Sequence, residues 1–220
     1  MLRRTRHSFA GLVTRCRGSL RRARFRRAEG GVALVEFALI LPFLLAIYVG
    51  TLEIANVTAA LRKVDLLSST VGELIASVSA PTRTQVDEVF AASRIVLLPY
   101  DGTAAEMIVS AVGVLGDTAD GALKVCSSAA AAGSIPRGVG EGSPLPVPSG
   151  LVATGLRMLL VEIKMKYKPL FGETLASVFG QRMDGIVLSR QMLWPVRAGR
   201  RFASQYPEII LPNGMPCPVQ

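Results

Sequence analysis

Residues 32–52 read VALVEFALILPFLLAIYVGTL, an apolar run in which Glu36 is the one charged residue. At a rise of 1.5 Å per residue these residues would span about 30 Å, the thickness of the hydrocarbon core of a bilayer. The run is longer than the apolar part of a secretory signal and continues into Glu53 instead of a small-residue cleavage site. It therefore predicts a membrane-spanning helix over residues 32–56. Pro42 lacks a backbone donor and is predicted to bend that helix.

Arginine is concentrated before this run. Residues 1–31 hold ten arginines against the single acid Glu29, so this segment accounts for the whole formal net charge of +9. By the positive-inside tendency, we expect a cytoplasmic basic leader at 1–31 and an extracytoplasmic domain at 57–220, as in a protein of the bacterial inner membrane. Because the excess of basic over acidic residues is confined to the leader, nucleic-acid binding is not expected. An organelle transit peptide is also rich in arginine, but the long apolar run argues against one.

Glu36 is a costly residue inside an apolar span and predicts a cationic partner within the membrane. If the chain were cut between Gly31 and Val32, the new α-amino group of Val32 would place a positive charge near this carboxylate, in the same or a neighbouring subunit. Gly30 and Gly31 carry no Cβ and leave the bond uncrowded. The alternative is an uncut signal anchor whose glutamate lies near the headgroups at little cost.

The segment Gly31-Val-Ala-Leu-Val-Glu36-Phe-Ala-Leu-Ile-Leu-Pro42 resembles the start of TadE-like proteins of the tight-adherence (Flp-type) pilus systems. The resemblance implies cleavage by a prepilin peptidase between Gly31 and Val32, and an assembly role for Glu36 and Phe37. Glu53 matches a second acidic position near the end of the span. Asn56 departs from the pattern, since many members have arginine there. The resemblance covers residues 24–56.

The remaining sequence predicts an α+β, pilin-like fold: a long amino-terminal helix, a short helix and a small antiparallel sheet. Apolar residues at spacings of three and four continue the first helix to just before Pro81, and a capped second helix follows from Thr82 or Thr84. Alternation along β-prone runs predicts four strands. The apolar positions that continue the first helix are Leu61, Val64, Val71, Leu74, Ile75 and Val78; those of the second helix are Val86, Val89, Phe90 and Ile95; the strands are 106–115, 122–127, 156–168 and 186–194.

Residues 129–150 are rich in Ala, Gly, Pro and Ser, and are predicted to form a flexible surface loop. The glycines at 138, 140 and 142 suggest a phosphate-binding loop only superficially, because no strand precedes them and no helix follows. The later runs Tyr167-Lys-Pro169-Leu-Phe171 and Trp194-Pro195-Val-Arg197 resemble the carboxyl-terminal half of TadE-like domains, less specifically than the amino end does. A strand end, a turn and sheet packing explain the same residues.

Cysteine usage predicts one disulfide. Cys126 and Cys217 both fall on the proposed outer side, where oxidising conditions allow pairing, whereas Cys16 falls in the leader. Two cysteines without a histidine outside the leader cannot complete a tetrahedral zinc site, so no metal site is expected. Asp117 and Asp120 could bind calcium, but a hairpin turn ending in Asp120-Gly121 explains them without a metal.

No catalytic residues, cofactor or small-molecule substrate are predicted. The only histidine, His7, lies in the leader, and the chain has no nucleophile elbow or framed nucleotide loop. Together with the resemblance, these observations favour a minor pilin or pseudopilin that assembles, primes or anchors a Flp-type pilus. Its expected partners are the membrane, a prepilin peptidase, other pilins and the pilus secretion machinery. The alternative is a generic single-span membrane protein whose outer domain binds a partner in the envelope.

Overall fold

The fold was obtained as a computed structural model, which describes residues 29–115, 122–147, 153, 155–172, 185–201 and 206–218. The chain divides into two compact units, Met1–Thr51 and Leu52–Gln220. The first unit contributes the apolar residues 32–51. The second contains the globular α+β domain.

Two α-helices precede the sheet. Helix α1 runs over Glu29–Ala76 and retains helical structure at Pro42. Helix α2 runs over Arg83–Ser93, and a capping box fixes its amino end. Thr82 Oγ1 accepts a hydrogen bond from the backbone N–H of Gln85, and the Gln85 side chain accepts one from the backbone N–H of Thr82. Of the two predicted caps, Thr82 is therefore the correct one.

A short 3₁₀ helix over Arg94–Leu97 follows α2 directly. It takes up Ile95, which was expected inside the second helix and on its buried face. Ile95 is instead exposed, whereas Val86, Phe90 and Leu97 are buried. The apolar spacing therefore indicated the buried face of α2 correctly but not its end.

The four predicted strands form one antiparallel sheet with the order β2-β1-β3-β4. Their bounds are β1 Glu106–Val114, β2 Leu123–Ala130, β3 Arg157–Tyr167 and β4 Ile186–Pro195. A separate two-stranded pair joins β5 Arg200–Arg201 to β6 Pro207–Glu208. The predicted fold class, a long helix, a short helix and a small antiparallel sheet, is confirmed.

The main core lies between α1, α2 and one face of the sheet. Helix α1 contributes buried residues at spacings of three and four, and β3 contributes every second residue, as its alternation predicted. Two of the residues predicted to follow the buried stripe of α1, Leu74 and Val78, are exposed instead. The buried α1 residues are Ala60, Val64, Leu67, Val71 and Ile75, and those of β3 are Leu159, Val161, Ile163, Met165 and Tyr167.

Gly72 allows a close approach of α1 to the sheet. A Cβ at this position would lie 2.4 Å from Cδ1 and Nε1 of Trp194 on β4. Because Gly72 leaves this space open, the indole can lie directly against the helix backbone.

The segment after β2 covers the other face and the outer edge of the sheet. Leu145 and Val147 join a second apolar cluster with Val125 and Leu160. At the edge, the N–H of Gly140 donates to the carbonyl of Val125, whose own N–H donates to the carbonyl of Glu141, both at 2.8 Å. The strand β2 also extends to Ala130, beyond the predicted end at Ser127. The flexibility predicted for 129–150 stays a prediction.

Candidate functional site

The amino-terminal part of α1 is an apolar helix with an exposed surface. Among the described residues, one helix is long and apolar enough to cross a membrane, and no residue of its most apolar window is buried. Large side chains along it, such as Val35, Phe43 and Leu44, are all exposed. Such a surface is costly in water and is normal in contact with lipid, so this helix fits membrane anchoring.

The residues predicted to act in processing and assembly all lie on this helix. Gly31 and Val32 are helical, and a Cβ at Gly31 would meet no atom within 4 Å apart from its chain neighbours and the adjacent helix backbone. Glu36 and Phe37 are exposed on the same segment. Because the carboxylate of Glu36 lies inside the apolar run, it needs a partner once lipid surrounds the helix.

Glu53, the predicted second acidic position, has a defined set of partners in the domain. Its Oε1 accepts a hydrogen bond from the Tyr167 hydroxyl at 3.0 Å and from the backbone N–H of Leu170 at 3.2 Å. Its Oε2 accepts from the N–H of Phe171 at 3.4 Å. One carboxylate at the start of the domain therefore ties α1 to the turn that follows β3.

Two tyrosines flank this carboxylate. The rings of Tyr100 and Tyr167 meet edge to face with centroids 5.9 Å apart, and the Tyr100 hydroxyl donates to the carbonyl of Asn56 at 3.2 Å. Burial raises the pKa of Tyr167 to about 12, and the hydrogen bond to Glu53 acts in the same direction. Tyr167 is therefore a neutral donor at physiological pH. Asn56, the departure from the family pattern, contributes here through its backbone.

A second polar contact ties α1 to the sheet further along. Arg190 on β4 forms a bidentate pair with the carboxylate of Asp65, and this pairing raises the pKa of Arg190. Both side chains are partly exposed, so the pair contributes orientation more than stability. The contacts at Glu53, Asp65 and Gly72 follow one another along α1.

The predicted disulfide is present in the structure. Cys126 on β2 is bonded to Cys217, with Cα atoms 4.9 Å apart and 91 positions apart in sequence. The same carboxyl-terminal segment is also held by the N–H of Leu211, which donates to Ser127 Oγ at 3.2 Å. This segment is thus fixed to the edge strand at two points.

A buried ion pair lies beside the disulfide. Nε of Arg157 is 3.9 Å from Oε1 of Glu208, and both side chains are almost fully buried. Burial lowers the pKa of Arg157, while the charge of Glu208 opposes that effect. The Glu208 carboxylate also accepts from the N–H of Cys217. These contacts hold the carboxyl-terminal segment in place.

The described residues contain one group with the composition of a metal site, formed by Cys126, Glu208 and Cys217. Its two sulfur atoms are already joined to each other, and its carboxylate is bonded to a backbone N–H beside Arg157. The group is therefore structural. The calcium alternative at Asp117 and Asp120 lies outside the described residues.

Sequence reasoning identified Glu53 but not its partners. Tyr167 and Phe171 belong to a run that already resembled a TadE-like domain, and that run was interpreted as a strand end and a turn. Tyr167 does end β3, and a turn does follow it. What the sequence could not reveal is that this turn meets residue 53, because the contact spans 114 positions.

Comparisons with known proteins bear on the first helix. The family model described as TadE-like protein matches residues 31–66, a range that includes Gly31, Glu36, Pro42 and Glu53. The matched family is associated with pili and is not an enzyme family. The comparisons with curated proteins and with solved structures found no match. The resemblance predicted for the first helix is confirmed: residues 31–66 are similar to the TadE-like family.

Proposed function

We propose that this protein is a minor pilin or pseudopilin that assembles, primes or anchors a Flp-type pilus. The observation that carries the proposal is the TadE-like match over an apolar, exposed helix that contains Glu36. The protein would be anchored in the bacterial inner membrane with residues 1–31 in the cytoplasm. Residues 57–220 would lie outside and would serve assembly instead of catalysis.

Glu36 is proposed to act as the assembly group of the helix. A carboxylate surrounded by lipid is costly, and its cost falls when an amine lies beside it. The α-amino group created by cleavage before Val32 would supply that amine, in the same or a neighbouring subunit. Other pilins and the secretion machinery would then be the partners of this helix.

Cleavage between Gly31 and Val32 by a prepilin peptidase is supported by the local backbone. A peptidase has to unwind the helix at the bond it cuts, and glycine costs about 1 kcal/mol more than alanine in a helix. Gly30 and Gly31 are consecutive in α1, and no side chain covers Gly31. This stretch of the helix is therefore inexpensive to open.

The assembly role is tested by changing Glu36 alone. Glu36→Ala should insert into the membrane as the unchanged protein does, because it removes a charge from the span, but it should fail to co-purify with other pilus components. Glu73→Ala is a matched control, since it removes an exposed carboxylate of the same helix outside the apolar run. Unchanged co-purification of the Glu36 variant would argue for the alternative, a generic single-span protein that binds an envelope partner.

Cleavage is tested separately by amino-terminal sequencing of membrane-extracted protein from a host with an active prepilin peptidase. The mature chain should begin at Val32 and keep 189 residues, because 220 − 31 = 189. Its side-chain charge should fall to zero, since 25 − 10 = 15 basic residues then face 16 − 1 = 15 acids. Gly31→Leu should leave the heavier precursor. A native chain that begins at Met1 would show an uncut anchor.

A further inference from the structure

The contacts of Glu53 fix which part of the domain lies nearest the membrane. Glu53 follows the apolar run 32–52 directly, so it must lie at the boundary of the bilayer when that run crosses it. Its carboxylate accepts hydrogen bonds from Tyr167, Leu170 and Phe171. Their donor groups therefore lie at nearly the same distance from the bilayer as the carboxylate itself. The end of β3 and the turn after it are therefore adjacent to the lipid headgroups.

Several exposed apolar side chains lie at this end of the domain. Leu170 is 69% exposed although its backbone is bonded to Glu53. Val187 is 63% exposed and follows Ile186, the β4 partner of Tyr167. Leu98 is 61% exposed, two residues before Tyr100. We call Leu98, Leu170, Ile186 and Val187 the membrane-proximal rim.

The polar residues at the rim match a lipid interface. Tyr100 is only partly buried, and it is the kind of aromatic residue enriched where a membrane protein passes from hydrocarbon to headgroups. Lys166 and Lys168 are exposed at the end of β3 and carry the charge that anionic headgroups attract. Asp101 is the acidic neighbour of Lys168.

We propose that the membrane-proximal rim rests on the outer lipid surface of the bilayer, with Leu98, Leu170 and Val187 inserted among the headgroups. The inference rests on the membrane anchoring proposed above and adds a second, peripheral contact to the helical span. It gives the exposed apolar side chains at the end of the domain nearest the span a lipid partner. This contact would restrain tilting of the domain about its single helix.

The opposite end of the domain supplies an internal control. From Glu53 to Gly72 α1 rises about 28 Å, and from Tyr167 to Leu159 β3 rises about 26 Å, so helix and strand run along each other for the same length. Val139 is 68% exposed and precedes Gly140, whose N–H is bonded to the carbonyl of Val125. Through the strand register Val125 lies level with Met158, which is further from Tyr167 than Leu159 is. An apolar residue of equal exposure is thus available away from the membrane.

The test uses the full chain with Cys16→Ser, reconstituted in vesicles of phosphatidylcholine and phosphatidylglycerol, with an environment-sensitive fluorophore on one introduced cysteine. The three positions are Leu170→Cys at the rim, Val139→Cys at the distal end and Leu44→Cys in the span. Lipids brominated near the headgroup serve as the quencher. Because interfacial side chains enter about 5–10 Å below the surface, the probe at 170 should lose about half of its emission or more, while the probe at 139 should be unaffected.

The span probe separates the two proposals. If the probe at 44 is quenched by deeply brominated lipid and the probe at 170 is not quenched at all, the rim contact is refuted and the membrane anchor stands. If the probe at 44 is not quenched, the anchor itself is refuted. Emission at 170 that is shifted to the blue but not quenched would identify a protein, such as a second copy of this chain, as the occupant and would overturn the lipid contact.

A charge variant tests the same contact without a probe at the altered site. Leu170→Asp, read by a fluorophore at Val187→Cys, should reduce quenching at 187 at least severalfold, because a carboxylate is disfavoured among the headgroups. Residue 170 is exposed, so the change should leave the fold intact, and Val139→Asp is the matched control. Equal quenching in all three proteins would contradict the proposal.

Discussion

Replacing Glu53 should loosen the domain at the point where α1 meets the turn after β3. Glu53→Ala removes the acceptor of three donors: the Tyr167 hydroxyl and the N–H groups of Leu170 and Phe171. Hydrogen bonds to a charged acceptor each contribute about 1.5–3 kcal/mol when buried, but Leu170 is exposed and water can replace its bond. The bond of Tyr167 therefore dominates, and we expect the free energy of unfolding to fall by about 2–3 kcal/mol.

A double-mutant cycle isolates the main bond. Tyr167→Phe removes the hydroxyl and keeps the ring that meets Tyr100, so it should cost about 1–2 kcal/mol, and most of this cost should disappear when Glu53 is already alanine. Urea unfolding in detergent micelles, followed by the fluorescence of Trp194, measures all four proteins; Trp194 is the only tryptophan. Additive effects of the two changes, or a Glu53→Ala protein as stable as the unchanged one, would refute the reasoning.

Three further predictions concern packing, cross-linking and pH. Gly72→Ala should lower the melting temperature although alanine favours helices, because the new methyl overlaps the indole of Trp194 at 2.4 Å, and overpacking costs about 1–3 kcal/mol; a rise in melting temperature would contradict this. Cys217→Ser should lower the free energy of unfolding by up to about 4–5 kcal/mol, since it opens a loop closed across 91 positions; peptide mapping of native protein that finds both thiols of Cys126 and Cys217 free would remove its basis. Stability should also fall as the pH rises from about 10 to about 12. The pKa of Tyr167 is 10.0 in a free side chain and about 12 in the fold, so the unfolded state loses its proton first. Titration followed by the tyrosinate absorbance should show a late transition, whose midpoint pH should be lower in Glu53→Ala.

The parts of the fold that follow from local periodicity could be predicted from the sequence. The alternation along β3 placed Leu159 and Ile163 on the buried face, and the start of α2 was predicted at Thr82 or Thr84, of which Thr82 is the cap. The span was equally clear, because an apolar run with one charge depends on no distant residue. These signals lie within a few positions of the residues they describe.

The contacts that join distant segments could not be predicted in the same way. Nothing near residue 53 in the sequence indicates a turn more than a hundred positions later, and the glycine at 72 stands out only when Trp194 is seen against it. The exposure of Leu74 and Val78 also depends on distant segments, because an apolar residue of α1 is buried only where the sheet or α2 covers it. The disulfide was the exception, because compartment and cysteine count left one pair.

The segment that lies along β2 has a consequence for crowding in a two-dimensional membrane. If the protein is anchored as proposed, copies would meet side by side at high local concentration, and an open sheet edge would invite them to pair strand to strand. Here the edge of β2 is already bonded to residues 140–143, and the prolines at 144 and 146 that follow have no N–H to offer a neighbour. The loop thus covers this edge from Leu123 to Val125, and that part of the strand is closed to pairing with an identical neighbour.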